Sequence, residues 1–300
     1  MKKLIKFTIT SLVLATSMQL SVLPVVAAQT NDIQTNNQLN LKDEVNVYKS
    51  KVDVYKDELN VYKDLLNKKD IKLNPDGTIK ILGLDKLSIS PKLKDSTEKF
   101  IENVNLFIRE GSMSVKSDLM PYATPDKLKT SIDKDNVNTT TSGAVSSAYA
   151  SFDLNSKCWN NRQTLQTYYD TTLRLAAQSG SLNPAGDAAA GCAVYFVGKV
   201  KTGGAWDYKA TLGGATTYSV MIGSSQFYIT GEDIGNIHFG YVGRVIFTGE
   251  QLKYGAGFAQ LYSNITYGQS CSGLNKYWDN PNDTPQIQRG INWYDSGTFH

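Results

Sequence analysis

The stretch WNNRQTLQTYYDTTLRLAAQ, residues 159–178, places Leu165, Tyr168, Tyr169, Thr172, Leu173 and Leu175 at the spacing of one helical face. Three further segments follow the same rule. Ala188 to Lys199 carries Cys192, Val194, Tyr195, Phe196 and Val197, and Gln251 to Ser263 carries Leu252, Tyr254, Phe258, Ala259 and Leu261. Pro285 to Trp293 suits a closing helix, although Gly290 is a poor helix former. Strand character is confined to about Tyr218–Ile229, and Gly235, Gly240 and Gly243 read as flexible turns. The expectation for residues 153–297 is therefore a mainly α domain, with an α+β arrangement as the variant.

Towards the N-terminus the pattern changes. Residues 112–152, rich in Ser, Thr, Lys and Asp, lack sustained periodicity and read as a linker or surface tether. Residues 70–111 read as a small stem. Within it, Pro75-Asp76-Gly77 sits between two alternating runs as a hairpin, and Leu93–Arg109 sets Phe100, Ile101, Val104, Phe107 and Ile108 along a helix. In residues 40–69, Val47-Tyr48-Lys49, Val54-Tyr55-Lys56 and Val61-Tyr62-Lys63 repeat at intervals of seven. Val45, Tyr48, Val52, Tyr55, Leu59, Tyr62 and Leu66 then form a heptad seam, which predicts a coiled coil and a homo-oligomer joined through residues 42–69. An amphipathic helix packed on its own chain is the alternative reading.

Residues 1–28 present Lys2, Lys3 and Lys6, an apolar run from Phe7 through Val26, and Val26-Ala27-Ala28 before Gln29. That order is a secretory signal cleaved after Ala28, so the chain is expected to be secreted, extracellular or attached at the cell surface. Loss of three lysines takes the formal charge from +3 to zero. Residues 151–300 hold ten basic and ten acidic side chains, without the basic footprint usual for polyanion recognition. Cys158, Cys192 and Cys271 permit one disulfide of undetermined pairing in an oxidising compartment, or three buried thiols. With His238 and His300 the only histidines, no zinc spacing arises, and no cofactor is expected.

Four clusters combine glycine with acid, amide or aromatic groups. Gly203-Gly204-Ala205-Trp206-Asp207-Tyr208-Lys209 bends the chain before a carboxylate and an ammonium. Glu232-Asp233-Ile234-Gly235-Asn236-Ile237-His238-Phe239-Gly240 offers paired carboxylates, an amide and an imidazole able to transfer a proton near neutrality. Gly255-Ala256-Gly257-Phe258-Ala259-Gln260 gives a small-residue face with one amide. Asp279-Asn280-Pro281-Asn282-Asp283-Thr284-Pro285 supplies two acids before the closing helix, where Asp283 or Thr284 is a good N-cap. Each has a plain structural reading as turn, cap or packing face.

In this order and spacing, from about Ser151 to Asp295, the clusters resemble the polymorphic toxin type 44 domain of bacteria. That family shows Gly-Gly-x-Trp-Asp-Tyr-Lys, Asp-x-Gly-Asn with an aromatic-Gly behind it, Gly-Ala-Gly-x-Ala-Gln, and Asp-x-Pro-x-Asp before a Gly-Ile-x-Tyr-like end. The resemblance implies a toxin with ribonuclease activity, and an immunity protein as a partner. It carries Trp206, Asp207, Lys209, Asp233, Asn236, Gln260, Asp279 and Asp283 over as site residues, while Glu232 and His238 join by proximity. The catalytic set is thus Asp207, Lys209, Glu232, Asp233, His238 and Asp279, with Trp206, Asn236, Gln260 and Asp283 binding substrate.

In the ribonuclease reading, Asp233 or Asp207 takes the ribose hydroxyl proton, Lys209 or Arg244 steadies the phosphate, and His238 protonates the leaving oxygen. A second enzyme reading is a peptidoglycan hydrolase acting on glycan strands with Asp207, Glu232, Asp233 and Asp279, where Trp206, Trp278 and Trp293 stack on sugars. A third is a non-enzymatic surface adhesion or assembly protein. The enzyme readings require Asp207, Asp233 and Asp279 to converge.

Overall fold

A computed structural model describes residues 57–124, 127, 149–267, 270, 272–277 and 279–299. The signal segment, most of the heptad segment, most of the 112–152 stretch, Cys271 and Trp278 lie outside the described residues. No described helix is long and apolar enough to cross a membrane. Mainly helical architecture is observed, with β-structure limited to three two-stranded antiparallel pairs. The described residues form two compact units. One joins those before position 130 to Thr167–Tyr195, and the other joins those from 149 to Gln166 with Phe196 onward.

The first unit opens with helix α1, residues 57–67. Its Leu59, Val61, Tyr62 and Leu65 are buried, and the Tyr62 hydroxyl donates to the Leu119 carbonyl at 2.7 Å. The described end of the heptad seam therefore packs on its own chain. Glu58 is buried beside Ser96, with the Arg174 guanidinium 3.4 Å away; burial raises its pKa against both partners. Strands β1 (Ile71–Leu73) and β2 (Ile79–Ile81) form the expected hairpin, turned by Gly77 at φ +82°. Helix α2 (Pro91–Glu110) starts at a Ser90 cap with Pro91 in its first turn and ends at Gly111 in the left-handed region. Strands β3 (Met113–Val115) and β4 (Pro121–Ala123) pair inside the stretch that sequence periodicity left as linker. Runs of three residues are too short to register as alternation.

Helices α3 (Leu154–Gln178) and α4 (Pro184–Val200) supply residues to both units. In the first unit, Tyr168 stacks on Tyr195 with ring centres 4.1 Å apart, and Phe107 meets Tyr168 edge-on at 4.8 Å. The opening stretch is thus a buried face, as its periodicity requires. The Cys158 and Cys192 side chains are both buried, and burial raises both pKa values.

The second unit continues with α5 (Tyr208–Leu212) and the hairpin of β5 (Thr217–Ile222) and β6 (Ser225–Thr230). Helices α6 (Gly231–Gly243), α7 (Gly249–Tyr267) and α8 (Asp283–Asp295) complete it. The expectation that Gly235, Gly240 and Gly243 form turns is corrected, since all three lie inside α6. Their role is close approach. A Cβ on Gly240 would stand 2.1 Å from the Ile287 carbonyl oxygen, and one on Gly290 would stand 2.0 Å from that of Ile237. Two glycines facing each other's backbone let α6 and α8 cross nearly in contact, which carries the start of α8 towards the start of α6.

Candidate functional site around Lys209

Lys209 is placed by Asp207, which caps α5. The Asp207 carboxylate accepts from the amides of Ala210 and Gly203, at 3.2 Å and 2.9 Å. Asp233 likewise completes a capping box with Thr230 at the start of α6. Both carboxylates that sequence offered as bases are committed to backbone caps.

Convergence occurs two residues after Asp207 and one before Asp233. The Lys209 Nζ lies 3.4 Å from Glu232 Oε1 and 3.3 Å from Asp283 Oδ2. Gly235 makes room for it, since a Cβ there would sit 2.8 Å from Lys209 Cγ. Asp283 does not cap α8, because Asn282 holds that position; its carboxylate turns to the ammonium instead. Asp279 is 2% exposed and accepts from the Asn280 amide and the Thr284 hydroxyl at 2.9 Å and 3.2 Å. Burial, followed by the nearby charge of Asp283, pushes its pKa up to about 6, although both hydrogen bonds and the Lys209 charge pull it down. The site thus gathers Lys209, Glu232, Asp279 and Asp283 from three separate clusters.

His238 is fully buried, and burial lowers its pKa to about 3. The expectation that it transfers a proton near neutrality is corrected: the ring is neutral there. The Asn161 side-chain amide donates to His238 Nε2 at 2.9 Å and to the Tyr208 hydroxyl at 3.0 Å. An amide nitrogen only donates, so Nε2 accepts and the ring proton is on Nδ1. Trp206 and Tyr208 meet the imidazole edge to face, at 5.8 Å and 4.8 Å. The His238 side chain therefore packs behind the segment bearing Lys209.

Among the remaining candidates, Trp206 is buried beneath the Lys199 ammonium. Asn236 is buried with its amide nitrogen unpaired among the described residues. Gln260 is half-buried on α7. Arg244 is bound to Asp295 and the Phe247 carbonyl and lies over Tyr294. Trp293 packs on Phe299 with Arg289 over its ring. Sequence reasoning passed over Asn161, Tyr208 and Asn275. The Asn275 amide donates to Thr284, and its carbonyl oxygen accepts from the amides of Tyr277 and Asp279, which fixes the acid loop. An asparagine before an aromatic and an acid was the only signal.

Residues 195–296 match the family model described as bacterial toxin 44. This part of the chain is a bacterial toxin 44 domain. The match covers every member of the Lys209 cluster, while Asn161 comes from outside the toxin 44 stretch. No curated protein and no solved structure matches the chain. The described residues contain no group of His, Cys, Asp and Glu able to hold a metal ion.

Proposed function

We propose that the toxin 44 domain is a hydrolase working by general acid–base chemistry at Lys209, and that its substrate is a glycan strand of the cell wall. The observation that carries this is the carboxylate arrangement. Glu232 Oε1 and Asp283 Oδ2, at 3.4 Å and 3.3 Å from one nitrogen, are at most about 6.7 Å apart. That upper bound falls within the roughly 5 to 9.5 Å over which carboxyl pairs serve glycoside hydrolysis, and Asp279 joins the pair through its charge coupling to Asp283. Asp279, which keeps its proton to about pH 6 and feels the charges of Asp283 and Lys209, is the acid. Glu232, with its side chain 49% exposed, is the base or nucleophile.

Charge supports this substrate over a polyanion. Two carboxylates contact a single ammonium whose charge a third, Asp279, also feels, and the parts assigned to a ribonuclease are committed elsewhere: His238 is neutral, Asp207 and Asp233 are caps, and Arg244 is paired. The exported location read from residues 1–28 belongs to the same proposal. RNA is the second reading, favoured by the Lys209 side chain, which is 40% exposed and open to a phosphate.

The full chain and its Glu232→Gln and Asp279→Asn variants are to be incubated with purified peptidoglycan and with total RNA. Muropeptides released by the parent and by neither variant is the expected result. RNA cleavage with intact glycan would move the substrate to RNA, and inactivity on both would leave the binding reading.

A further inference from the structure

Beside the acid loop lies a patch of opposite sign. The Lys253 and Lys276 ammoniums sit 5.0 Å and 4.8 Å from the centre of the Tyr277 ring, and Tyr254 meets that ring edge-on at 5.0 Å. Among the described residues, Glu250 balances the two lysines, bonding Lys253 and accepting from the Tyr277 hydroxyl at 3.5 Å. Lys253 is held with its side chain only 11% exposed, whereas Lys276 and Tyr254 face solvent. The patch is rigidly tied to the acid centre, because the one Asn275 side-chain oxygen binds the amides of both Tyr277 and Asp279. A net positive platform with an exposed aromatic edge thus adjoins a net negative acid cluster, two residues along the chain.

We infer that Lys276, Lys253 and Tyr254 form a subsite for a carboxylate-bearing branch of the substrate, namely the stem peptide of peptidoglycan, held while the glycan reaches Asp279 and Glu232. This rests on the glycan-hydrolase reading. The chemistry fits because the peptide is attached through a lactyl ether on the sugar carbon adjacent to the one that bears a glycosidic oxygen, so its carboxylates travel with the strand near that bond. Ammonium groups recognise them by charge, and the tyrosine edge covers the aliphatic peptide backbone. The acid cluster repels the same carboxylates, so the two patches set the direction in which a strand lies.

The test is co-sedimentation of the full chain carrying Glu232→Gln, which removes the base, with sacculi freed of teichoic acid. A parallel sample uses sacculi whose stem peptides an amidase has removed. The expected result is tighter binding to complete sacculi. Adding Lys276→Glu should weaken that binding about tenfold and erase the preference, Lys276→Arg should keep it, and the preference should shrink as salt rises. Equal binding to complete and stripped sacculi, or a preference that survives Lys276→Glu, would overturn the subsite. Absence of muropeptide release by the parent chain, with the Lys276-dependent preference intact, would instead overturn the hydrolase reading alone.

Discussion

Lys209 Nζ stands 3.3 Å from Asp283 Oδ2, tying the start of α5 to the first turn of α8 across 74 positions of chain. The same ammonium lowers the pKa of Asp279. Replacing it by an isosteric neutral side chain, Lys209→Met, should therefore move that pKa above about 6 and abolish turnover, while the fold persists because the ammonium is partly open to water. Carboxyl carbon chemical shifts followed against pH read the change. An Asp279 titration midpoint that did not move would show that Asp279 does not sense Lys209.

Asp279 also bears on stability. Its folded pKa, about 6, exceeds its ordinary value of 3.8, so the folded state binds the extra proton. Stability from this group is full below about pH 4 and is lost as pH rises through 6, amounting to roughly 3 kcal/mol. Asp279→Asn should accordingly melt higher than the parent at pH 7.5 and close to it at pH 4. Parallel melting curves across that range would refute the assignment.

His238 pulls the other way. Its folded pKa is depressed to about 3 from 6.5, so its contribution is complete above 6.5 and falls progressively as pH drops towards 3. By about pH 4.5 the loss is roughly 2 to 3 kcal/mol. In His238→Gln this acid sensitivity should be reduced. Nitrogen chemical shifts of the parent should show a neutral ring, protonated at Nδ1, from pH 8 to 5. A midpoint near 6.5 would return His238 to the role of proton donor.

The helices were legible because their apolar faces repeat strongly: the span of α3 includes all of residues 159–178, and α7 includes Gln251–Ser263. Which acids matter was not legible. Asp207 and Glu232 both stand near glycines in the sequence, and only the three-dimensional path shows that one binds backbone amides and the other faces Lys209. The glycines of α6 misled for a related reason. Low intrinsic helix propensity argues for a turn, but a helix pressed against another backbone selects glycine in spite of that cost. Asn161 was invisible because its partners, Tyr208 and His238, are 47 and 77 residues away.

Gly235 and Gly240 separate packing from function on one helix. Alanine at 240 would drive its Cβ to 2.1 Å from a backbone oxygen, which cannot rotate away. Gly240→Ala should cost about 3 kcal/mol or more, beyond the ~1 kcal/mol gained in helix propensity, and show as a collapsed melting temperature or insoluble protein. Gly235→Ala instead meets the flexible Lys209 side chain at 2.8 Å. It should fold with near-parental stability and lose activity, because the ammonium is displaced from Glu232 and Asp283. An active Gly235→Ala enzyme would show that the position of Lys209 is not critical.

The two capping acids give the sharpest contrast with the acids at Lys209. Asp207→Ala and Asp233→Ala each remove a side chain that accepts from helix N-terminal amides, and each should cost roughly 0.5 to 2 kcal/mol. Assayed well below their melting temperatures, both should retain the pH optimum of the parent, with turnover lowered only as far as α5 or α6 frays. Asp207→Asn and Asp233→Asn, which still cap, should recover most of the lost stability. Glu232→Gln should do the reverse, leaving the melting temperature within about 0.5 kcal/mol of the parent, as an exposed ion pair allows, while turnover falls a hundredfold or more. If Asp233→Asn restored stability yet remained inactive, Asp233 would act on substrate and not only on the helix.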